Sequence, residues 1–195
     1  NRNSTDPRTV MKKHKIAVIV GSLRKESFNL KIAKAMMAMA PGALSMELVD
    51  ISGLPMFNED LESDPPEEWL SFKEQINASD GLLFFTPEYN RSVPGVLKNA
   101  IDVGSRPYGQ NSWGGKPGAI VSVSIGGIGG FGANHHLRQS LTFANVPTMA
   151  QPEAYISGAT ELFDAEGNLK NDSTKGFLKS FIEAFEKWVG TNAQK

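Results

Sequence analysis

Cysteine is absent from this chain of 195 residues, and its absence excludes disulfides, thiol nucleophiles and thiolate metal sites. The chain also lacks an excess of one charge, because 20 basic residues accompany 21 acidic ones and no basic block occurs. We therefore expect neither nucleic acid nor an anionic membrane as a partner. No apolar run approaches the ~20 residues that span a bilayer, and the N-terminus has no signal-peptide core. These absences predict a soluble, cytoplasmic protein.

The hydrophobic content, 40% of the residues, is sufficient for one sizeable core and predicts a single domain. Residues 1–10 are polar and without periodicity. We interpret the segment 1–12 as a disordered tail or a cloning remnant, with Met11 as the candidate natural start, and expect the domain to cover residues 13–195.

Short apolar segments alternate with amphipathic ones along the rest of the chain. The predicted strands are residues 16–20, 44–49, 81–86, 117–125 and a fifth within 146–156. The predicted helices are residues 27–40, 67–79, 93–104, 133–144 and 173–190. Five strands alternating with five helices predict a doubly wound parallel α/β sheet with helices on both faces, in which ligands bind beyond the carboxyl ends of the strands.

Two connecting segments receive specific interpretations. Residues 52–64 contain four acids, which would suit a metal, but Asp64 before two prolines with Glu67 three positions later is more typical of a capped helix start. Residues 105–116 hold Arg106, Tyr108 and Trp113 among glycines and polar residues, and this composition predicts a surface loop.

The turn after the first strand has the chemistry of an anion site. The first amides of a helix have no intrahelical partner, and the helix dipole favours negative charge there. Ser22, Ser27 and Asn29 add side-chain donors, and Arg24 adds a charge that pairs with phosphate oxygens. These residues predict phosphate binding, although a tight strand-to-helix turn without a ligand explains them equally well.

Three loops rich in glycine or proline follow predicted strands, at residues 21–29, 86–92 and 124–132. Because the carboxyl ends of parallel strands lie at one edge of the sheet, we expect the three loops to meet. The first suits a phosphate, and the other two offer backbone groups for a flat polar ring. Together they predict a site for a mononucleotide with a planar ring.

Several sequence blocks are distinctive in this region. They are Gly21-Ser22-Leu23-Arg24 with Ser27-Phe28-Asn29, Pro87-Glu88-Tyr89-Asn90 with Ser92-Val93-Pro94-Gly95 and Lys98-Asn99-Ala100-Ile101-Asp102, Gly115-Lys116-Pro117, and His136-Leu137-Arg138-Gln139. In these blocks the chain closely resembles the NADPH-dependent FMN reductase family, in particular its bacterial chromate and quinone reductase branch. The resemblance extends from Ile16 to the last helix.

The resemblance implies a flavodoxin-like fold that binds FMN non-covalently. The FMN contacts that it implies are Gly21, Ser22, Arg24, Ser27, Phe28, Asn29 and Leu30 at the phosphate, Pro87, Glu88, Tyr89, Asn90, Arg91 and Ser92 around the isoalloxazine ring, and Ser124, Gly126 and Gly127 at its far edge.

The resemblance also implies that hydride from NADPH or NADH passes through FMN to quinones, and in many relatives to azo dyes, nitro compounds or chromate, in a cytosolic dimer or tetramer. Arg91 replaces a common tyrosine, which puts the acceptor preference in doubt. Arg91 and Arg106 are candidates for attracting the anionic dinucleotide or chromate. The alternatives are a flavodoxin-type electron carrier and a non-catalytic FMN-binding sensor or interaction protein.

We predict no catalytic side chain, because the flavin supplies the chemistry. Glu88 could be a buried base, but an acid beside a helix start more often serves the backbone, and we assign it to cofactor positioning. His135 and His136 have no acid or cysteine at ligand spacing, so we predict no metal site and interpret the pair as a surface or subunit contact.

One competing motif lies in the third loop. Gly127, Gly129 and Gly132 match G-x-G-x-x-G, and Glu153 follows about twenty residues later, as in dinucleotide-binding folds. Only one strand and one helix remain after it, however, which is too little chain for a second nucleotide-binding half. We interpret the match as a flexible loop at the flavin edge.

Overall fold

A computed structural model describes residues 13–194, so the interpretation of residues 1–12 lies outside the described part. The strands are β1 (His14–Val20), β2 (Leu44–Val49), β3 (Gly81–Thr86), β4 (Gly118–Val123) and β5 (Ala154–Ile156). The helices are α1 (Phe28–Ala38), α2 (Glu67–Asn77), α3 (Gly95–Ser105), α4 (Phe131–Phe143) and α5 (Asp172–Asn192). All strand pairs are parallel, in the order β2-β1-β3-β4-β5. This order confirms the predicted doubly wound sheet.

Burial along the strands follows their place in the sheet. Every residue of β3 and β4 is buried, because these two strands have neighbours on both edges and helices on both faces. In β2 only the first and last residues are buried, as expected from its polar alternation and its position at one edge. At the opposite edge, β5 has only three residues.

The helices cover both faces of the sheet. One core cluster joins residues of α1 and α5 to the sheet, including Phe181 and Phe185. The other cluster joins α2, α3 and α4 to the opposite face, through side chains such as Trp69, Leu97 and Leu137. Among the described residues, no helix combines the length and apolarity that a membrane crossing requires.

The prediction that residues 105–116 form a surface loop is wrong for Trp113, which is fully buried. Its indole Nε1 donates to the carbonyl of Ile101 at 3.0 Å. Its ring centroid lies 5.8 Å from that of Phe72 and 5.7 Å from that of Phe84. The loop therefore contributes a large side chain to the core between α2, α3 and β3.

The predicted helix cap at Asp64 is also wrong. Helix α2 begins at Glu67 after Pro66, and no side chain caps it. Asp64 instead lies in a bend after the 3-10 turn Glu59–Leu61, and its amide donates to the carbonyl of Leu61 at 3.2 Å. Two prolines separate the carboxylate from the first free amides of α2, whereas Glu67 and Glu68 supply negative charge within the first turn.

Candidate functional site

The three predicted loops follow β1, β3 and β4, which are neighbours in the sheet. From β1 the chain continues to β2 on one side of the sheet, and from β3 it continues to β4 on the other side. The order reverses between β1 and β3, and a crevice forms at such a switch point. A cavity of about 150 Å³ lies there. Its lining residues come from all three loops and are Ser22, Arg24, Ser27, Phe28, Asn29, Pro87, Glu88, Tyr89, Val123, Ser124 and Ile125.

The lining includes most of the predicted contacts and two that sequence reasoning missed. These two residues, Val123 and Ile125, flank the predicted contact Ser124. The sequence signal that could have identified them is the position of Ser124 at the end of a strand. The other predicted residues lie within three positions of a lining residue but are not part of the lining, namely Gly21, Leu30, Asn90, Arg91, Ser92, Gly126 and Gly127. Gly21 faces Leu97, since a Cβ at this position would lie 2.8 Å from the Leu97 Cδ2 atom.

Helix α1 presents its N-terminus to the cavity. The Ser27 hydroxyl caps it by accepting a hydrogen bond from the Leu30 amide at 3.2 Å. In the described part of the chain, the amides of Phe28 and Asn29 donate to no protein group. Because these amides and the helix dipole both favour an anion, this end of the cavity suits a phosphate.

Asn29 is buried beside these amides. Its Nδ2 group donates to the carbonyl of Val123 at 3.1 Å, which ties α1 to the end of β4. Its Oδ1 atom is buried without a hydrogen-bond partner in the described structure. Since buried polar atoms are normally satisfied, this oxygen is positioned to accept a hydrogen bond from a ligand hydroxyl.

Arg24 supplies the positive charge of the cavity wall. Its guanidinium carbon lies 5.7 Å from the centroid of the Phe28 ring, and Nη2 donates to the carbonyl of Glu26 at 3.3 Å. The carboxylate of Glu26 pairs with Lys31 at 2.8 Å and makes no ion pair with Arg24. Arg24 therefore retains N–H donors for a bound anion.

The second loop contains a tight turn. Tyr89 and Ser92 exchange backbone hydrogen bonds of 3.1 and 3.0 Å, and the residues between them, Asn90 and Arg91, have φ values of 50° and 64°. Two successive positive φ values define a type I′ turn. The Ser92 hydroxyl lies 2.8 Å from His136 Nδ1, so α4 holds the turn in place.

Glu88 connects this loop to the start of α4. Its side chain is only 9% exposed. Oε2 accepts a hydrogen bond from the Ala133 amide at 3.1 Å, and Oε1 accepts one from Arg91 Nη1 at 3.2 Å. The carboxylate thus satisfies an N-terminal amide of α4, as an acid beside a helix start is expected to do.

Close packing requires glycine at two positions of the third loop, Gly129 and Gly132. A Cβ at Gly129 would lie 2.6 Å from the carbonyl carbon of Tyr155, and one at Gly132 would lie 2.9 Å from the carbonyl oxygen of Arg91. Packing therefore explains two of the three glycines in the G-x-G-x-x-G match, whereas Gly127 has open space around its Cβ position. Only β5 follows the match in the described sheet. Ser124 Oγ accepts a hydrogen bond from the Gly126 amide at 3.1 Å, which shapes the start of the loop.

Arg106 is not brought to this cavity within the chain. It follows the last residue of α3, whose 11 residues at about 1.5 Å each separate it from the second loop by the length of the helix, roughly 16 Å. Arg106 Nε lies 2.8 Å from Glu62 Oε1, and Nη2 lies 3.4 Å from Glu59 Oε1. Its guanidinium carbon is 4.2 Å from the centroid of the Tyr108 ring.

His135 belongs to a polar and aromatic cluster beside the third loop. Its Nε2 lies 2.7 Å from the Tyr155 hydroxyl, which donates to Glu153 Oε1 at 2.8 Å. Burial, followed by the hydrogen bond to Glu153, raises the pKa of Tyr155 to about 12. In residues 13–194, no group of three or more His, Cys, Asp or Glu side chains is arranged to hold a metal ion.

A second cavity, of about 410 Å³, adjoins the first and shares Ser22, Arg24 and Tyr89 with it. Its other lining residues are Gly21, Leu23, Pro94, Gly95 and Val96. A larger cavity of about 780 Å³ lies elsewhere, between α1 and the loop that precedes α5, and four lysines line it. Its charged side chains are those of a solvated surface groove. Of the three loops, only the first contributes to its lining, through Lys25 and Glu26.

Known proteins are similar to this chain in sequence and in architecture. A quinone reductase from Pseudomonas putida is 59% identical over 92% of this chain and 96% of its own length. A 2-hydroxy-1,4-benzoquinone reductase from a Burkholderia species is 50% identical over 90% of this chain and 96% of its own length. The flavoenzyme NAD(P)H:acceptor oxidoreductase FerB from Paracoccus denitrificans superimposes with a TM-score of 0.87, at 44% identity over 93% of this chain and all of that one.

More distant structures confirm the flavodoxin-like fold, including a flavodoxin variant from Pseudomonas aeruginosa with a TM-score of 0.58 and 14% identity. The family model described as NADPH-dependent FMN reductase matches residues 14–161, which include all three loops. On this match and on the identity to the curated relatives, the chain belongs to the NADPH-dependent FMN reductase family.

Proposed function

We propose that this protein is an FMN-dependent NAD(P)H:quinone oxidoreductase. In the reaction, NAD(P)H, a proton and a quinone give NAD(P)⁺ and a hydroquinone. The observation that carries the proposal is the cavity at the switch point, where unpaired amides, a buried unpaired amide oxygen and an arginine come together. The names of the relatives from Pseudomonas putida and Burkholderia support a quinone as the acceptor.

The residues at the start of α1 fit the phosphate and ribityl parts of FMN. The amides of Phe28 and Asn29, the Ser27 hydroxyl and the Arg24 guanidinium would hold the phosphate, and Asn29 Oδ1 would accept from a ribityl hydroxyl. Ligand pockets commonly measure at least ~300 Å³, which is more than this cavity of about 150 Å³. The cavity therefore suits the phosphate end, with the ring extending over its rim.

The rim is formed by the second and third loops. Residues 87–92 and 124–127 can offer backbone N–H and C=O groups to the polar edge of an isoalloxazine ring, and the side chains of Ser92, Gly126 and Gly127 are small. The hydrogen bond from the Ala133 amide to Glu88 joins the second loop to the first turn of α4, directly after the third loop, and the ion pair with Arg91 fixes the carboxylate within its own loop. Glu88 is thereby a positioning residue for the cofactor.

Bound FMN would supply the redox chemistry by accepting a hydride from NAD(P)H and returning it to the acceptor. The chain itself binds and orients the reactants. No hydroxyl, thiol or imidazole of the cavity is needed as a nucleophile. Arg91, whose side chain is 77% exposed at the tip of its turn, would attract the phosphates of the dinucleotide or an anionic acceptor such as chromate.

We extend the proposal to the finer expectations from the resemblance. Azo dyes, nitro compounds and chromate are proposed as additional acceptors, and the protein is proposed to be a cytoplasmic homo-oligomer, either a dimer or a tetramer. Large exposed apolar side chains support self-association, notably Phe143 at 95%, Tyr108 at 85% and Met56 at 72% exposure. The molar mass measured by light scattering after size-exclusion chromatography distinguishes a dimer from a tetramer.

Reconstitution with FMN tests the function directly. The purified protein should be yellow or become yellow with FMN, and its colour should bleach with NADPH and return on addition of a quinone. An electron carrier would bind FMN without consuming NADPH, and a sensor would bind FMN with negligible turnover of any acceptor.

The Arg24→Ala variant tests the assignment of the phosphate end. It should fold and bind FMN at least tenfold more weakly, because it loses a charge-assisted contact. Lys34→Ala, which removes an exposed positive charge farther along α1, is the matched control. Equal FMN affinity in the two variants would contradict the phosphate assignment.

A further inference from the structure

The second cavity has a composition that the redox reaction does not explain. Its wall consists of two glycines, Leu23, Pro94 and Val96, together with Ser22, Arg24 and Tyr89 from the shared boundary. Leu23 is 57% exposed and Tyr89 is 48% exposed, so two large apolar side chains face solvent at the mouth of the site. Exposed apolar surface of this kind in a concave site indicates a ligand.

We propose that this cavity binds the alkyl or prenyl side chain of the quinone acceptor. The proposal rests on the proposed function, because the quinone ring must lie at the FMN site for its side chain to enter the neighbouring cavity. It specifies the substrate class as quinones that carry an aliphatic substituent.

The position of the cavity supports this occupant. Because Tyr89 lines both cavities and also belongs to the rim assigned to the flavin ring, a quinone ring stacked at that rim reaches the second cavity past Tyr89. Tyr89 is fixed there, since both of its backbone hydrogen bonds close the type I′ turn with Ser92. The cavity of about 410 Å³ is large enough for a short branched chain.

The chemistry of the wall favours an aliphatic group over a nucleotide. No carboxylate or amide side chain lines the cavity, so a purine would find few partners for its polar edge. Its single charge, Arg24, also lines the first cavity, where it would pair with the phosphate of FMN. Removing a methylene group from water into an apolar cavity strengthens binding roughly fourfold when burial is complete.

Gly95 provides a way to fill the cavity without disturbing the protein. It is the first residue of α3, and a Cβ at this position would have no heavy atom within 4 Å. Gly95→Leu therefore places a side chain in the cavity rather than in the core. Gly190→Leu is the matched control, because Gly190 lies in α5 and also has open space around its Cβ position.

The experiment compares two quinones that share one ring, 2,3-dimethoxy-5-methyl-1,4-benzoquinone and its 6-prenyl derivative, with the FMN-loaded protein. In the original protein, kcat/KM should be about tenfold higher for the prenyl compound through a lower KM. Gly95→Leu should bring the ratio of the two kcat/KM values to about one, whereas Gly190→Leu should preserve it. Leu23→Ser should lower the ratio at least threefold.

Other results overturn the proposal in distinguishable ways. A ratio near one in the original protein, with brisk turnover of both quinones, refutes the side-chain site and leaves the quinone reductase function standing. An increase in the KM for NADPH in Gly95→Leu assigns the cavity to the dinucleotide, and a change in molar mass assigns it to a second copy of the chain. Absence of turnover with any quinone refutes the proposed function, and this inference with it.

Discussion

The carboxylate of Glu88 accepts a hydrogen bond from the amide of Ala133 at 3.1 Å, although 45 residues separate them in the chain. The contact joins the loop after β3 to the first turn of α4. It also shows how an acid at the edge of the switch-point cavity is stabilised by a helix N-terminus and by the neighbouring Arg91. Together with the contact between Ser92 and His136, it fixes the second loop relative to α4.

Replacing this carboxylate tests its positioning role. Glu88→Gln should lower the stability of the apoprotein by about 1 kcal/mol, because it removes the charge at the helix N-terminus and the ion pair with Arg91. For a chain of this size that loss corresponds to a decrease in Tm of roughly 2–4 °C. FMN affinity should also fall.

The control for this prediction is Glu183→Gln, which makes the same charge change on an exposed residue of α5. Thermal unfolding of the apoproteins and titration with FMN provide the two measurements. Identical behaviour of the two variants would show that Glu88 does not position the loops.

The cap of α1 should affect both stability and FMN affinity. Ser27→Ala removes the acceptor of the Leu30 amide and should cost about 1 kcal/mol of unfolding free energy. Asn171→Ala is a matched control, because Asn171 caps α5 by accepting from the Thr174 amide at 2.8 Å. Both variants should lose similar stability in urea titrations, and only Ser27→Ala should lose FMN affinity. A parallel loss of FMN affinity in Asn171→Ala would attribute the effect to general destabilisation.

The left-handed backbone of Arg91 should be a local source of strain. A non-glycine residue with positive φ costs roughly 1–2 kcal/mol, whereas an exposed ion pair contributes at most about 1 kcal/mol. Both Arg91→Gly and Arg91→Ala lose the ion pair with Glu88, but only Arg91→Ala keeps the backbone strain. Arg91→Gly should therefore be about 1 kcal/mol more stable than Arg91→Ala. Asn90→Gly should change stability less, because asparagine tolerates this conformation better. Urea midpoints of the apoproteins test this order, and equal midpoints for the two Arg91 variants would disprove the strain.

The sequence predicted those parts of the fold that depend on local pattern. The strand bounds at Leu44–Val49 and Gly81–Thr86 were predicted from a polar alternation and from a continuous apolar run bounded by turn residues. The bounds of β5 were not, because a strand of three residues has too little periodicity. The burial of Trp113 depends on space between Phe72 and Phe84, which are distant in sequence, so local composition was misleading.

The sequence predicted the part of the candidate site that is formed by loops at the carboxyl ends of the strands. Since β1, β3 and β4 are neighbours, the loops that follow them had to meet. Arg106 was grouped with these loops by its charge, but α3 runs antiparallel to the strands and carries it to the opposite end. The second cavity was not predictable, because its wall joins Leu23 to Val96 through a packing arrangement that sequence spacing does not encode.

The raised pKa of Tyr155 predicts a pH dependence of stability. Burial and the hydrogen bond to Glu153 favour the neutral phenol in the folded state, so its pKa rises from 10.0 to about 12. The resulting stabilisation is complete below pH 10 and is lost as the pH increases toward 12. Between these values the stability of the original protein should therefore fall more steeply than that of Tyr155→Phe, which has no phenol to ionise.

Urea midpoints measured from pH 9 to 11.5 test this difference in slope. The absorbance of tyrosinate should show one of the three tyrosines titrating near pH 12 in the folded protein. That component should disappear in Tyr155→Phe and remain in Tyr108→Phe, which alters a tyrosine that is 85% exposed. If the component instead disappears in Tyr108→Phe, the shift does not arise from the cluster of Glu153, Tyr155 and His135.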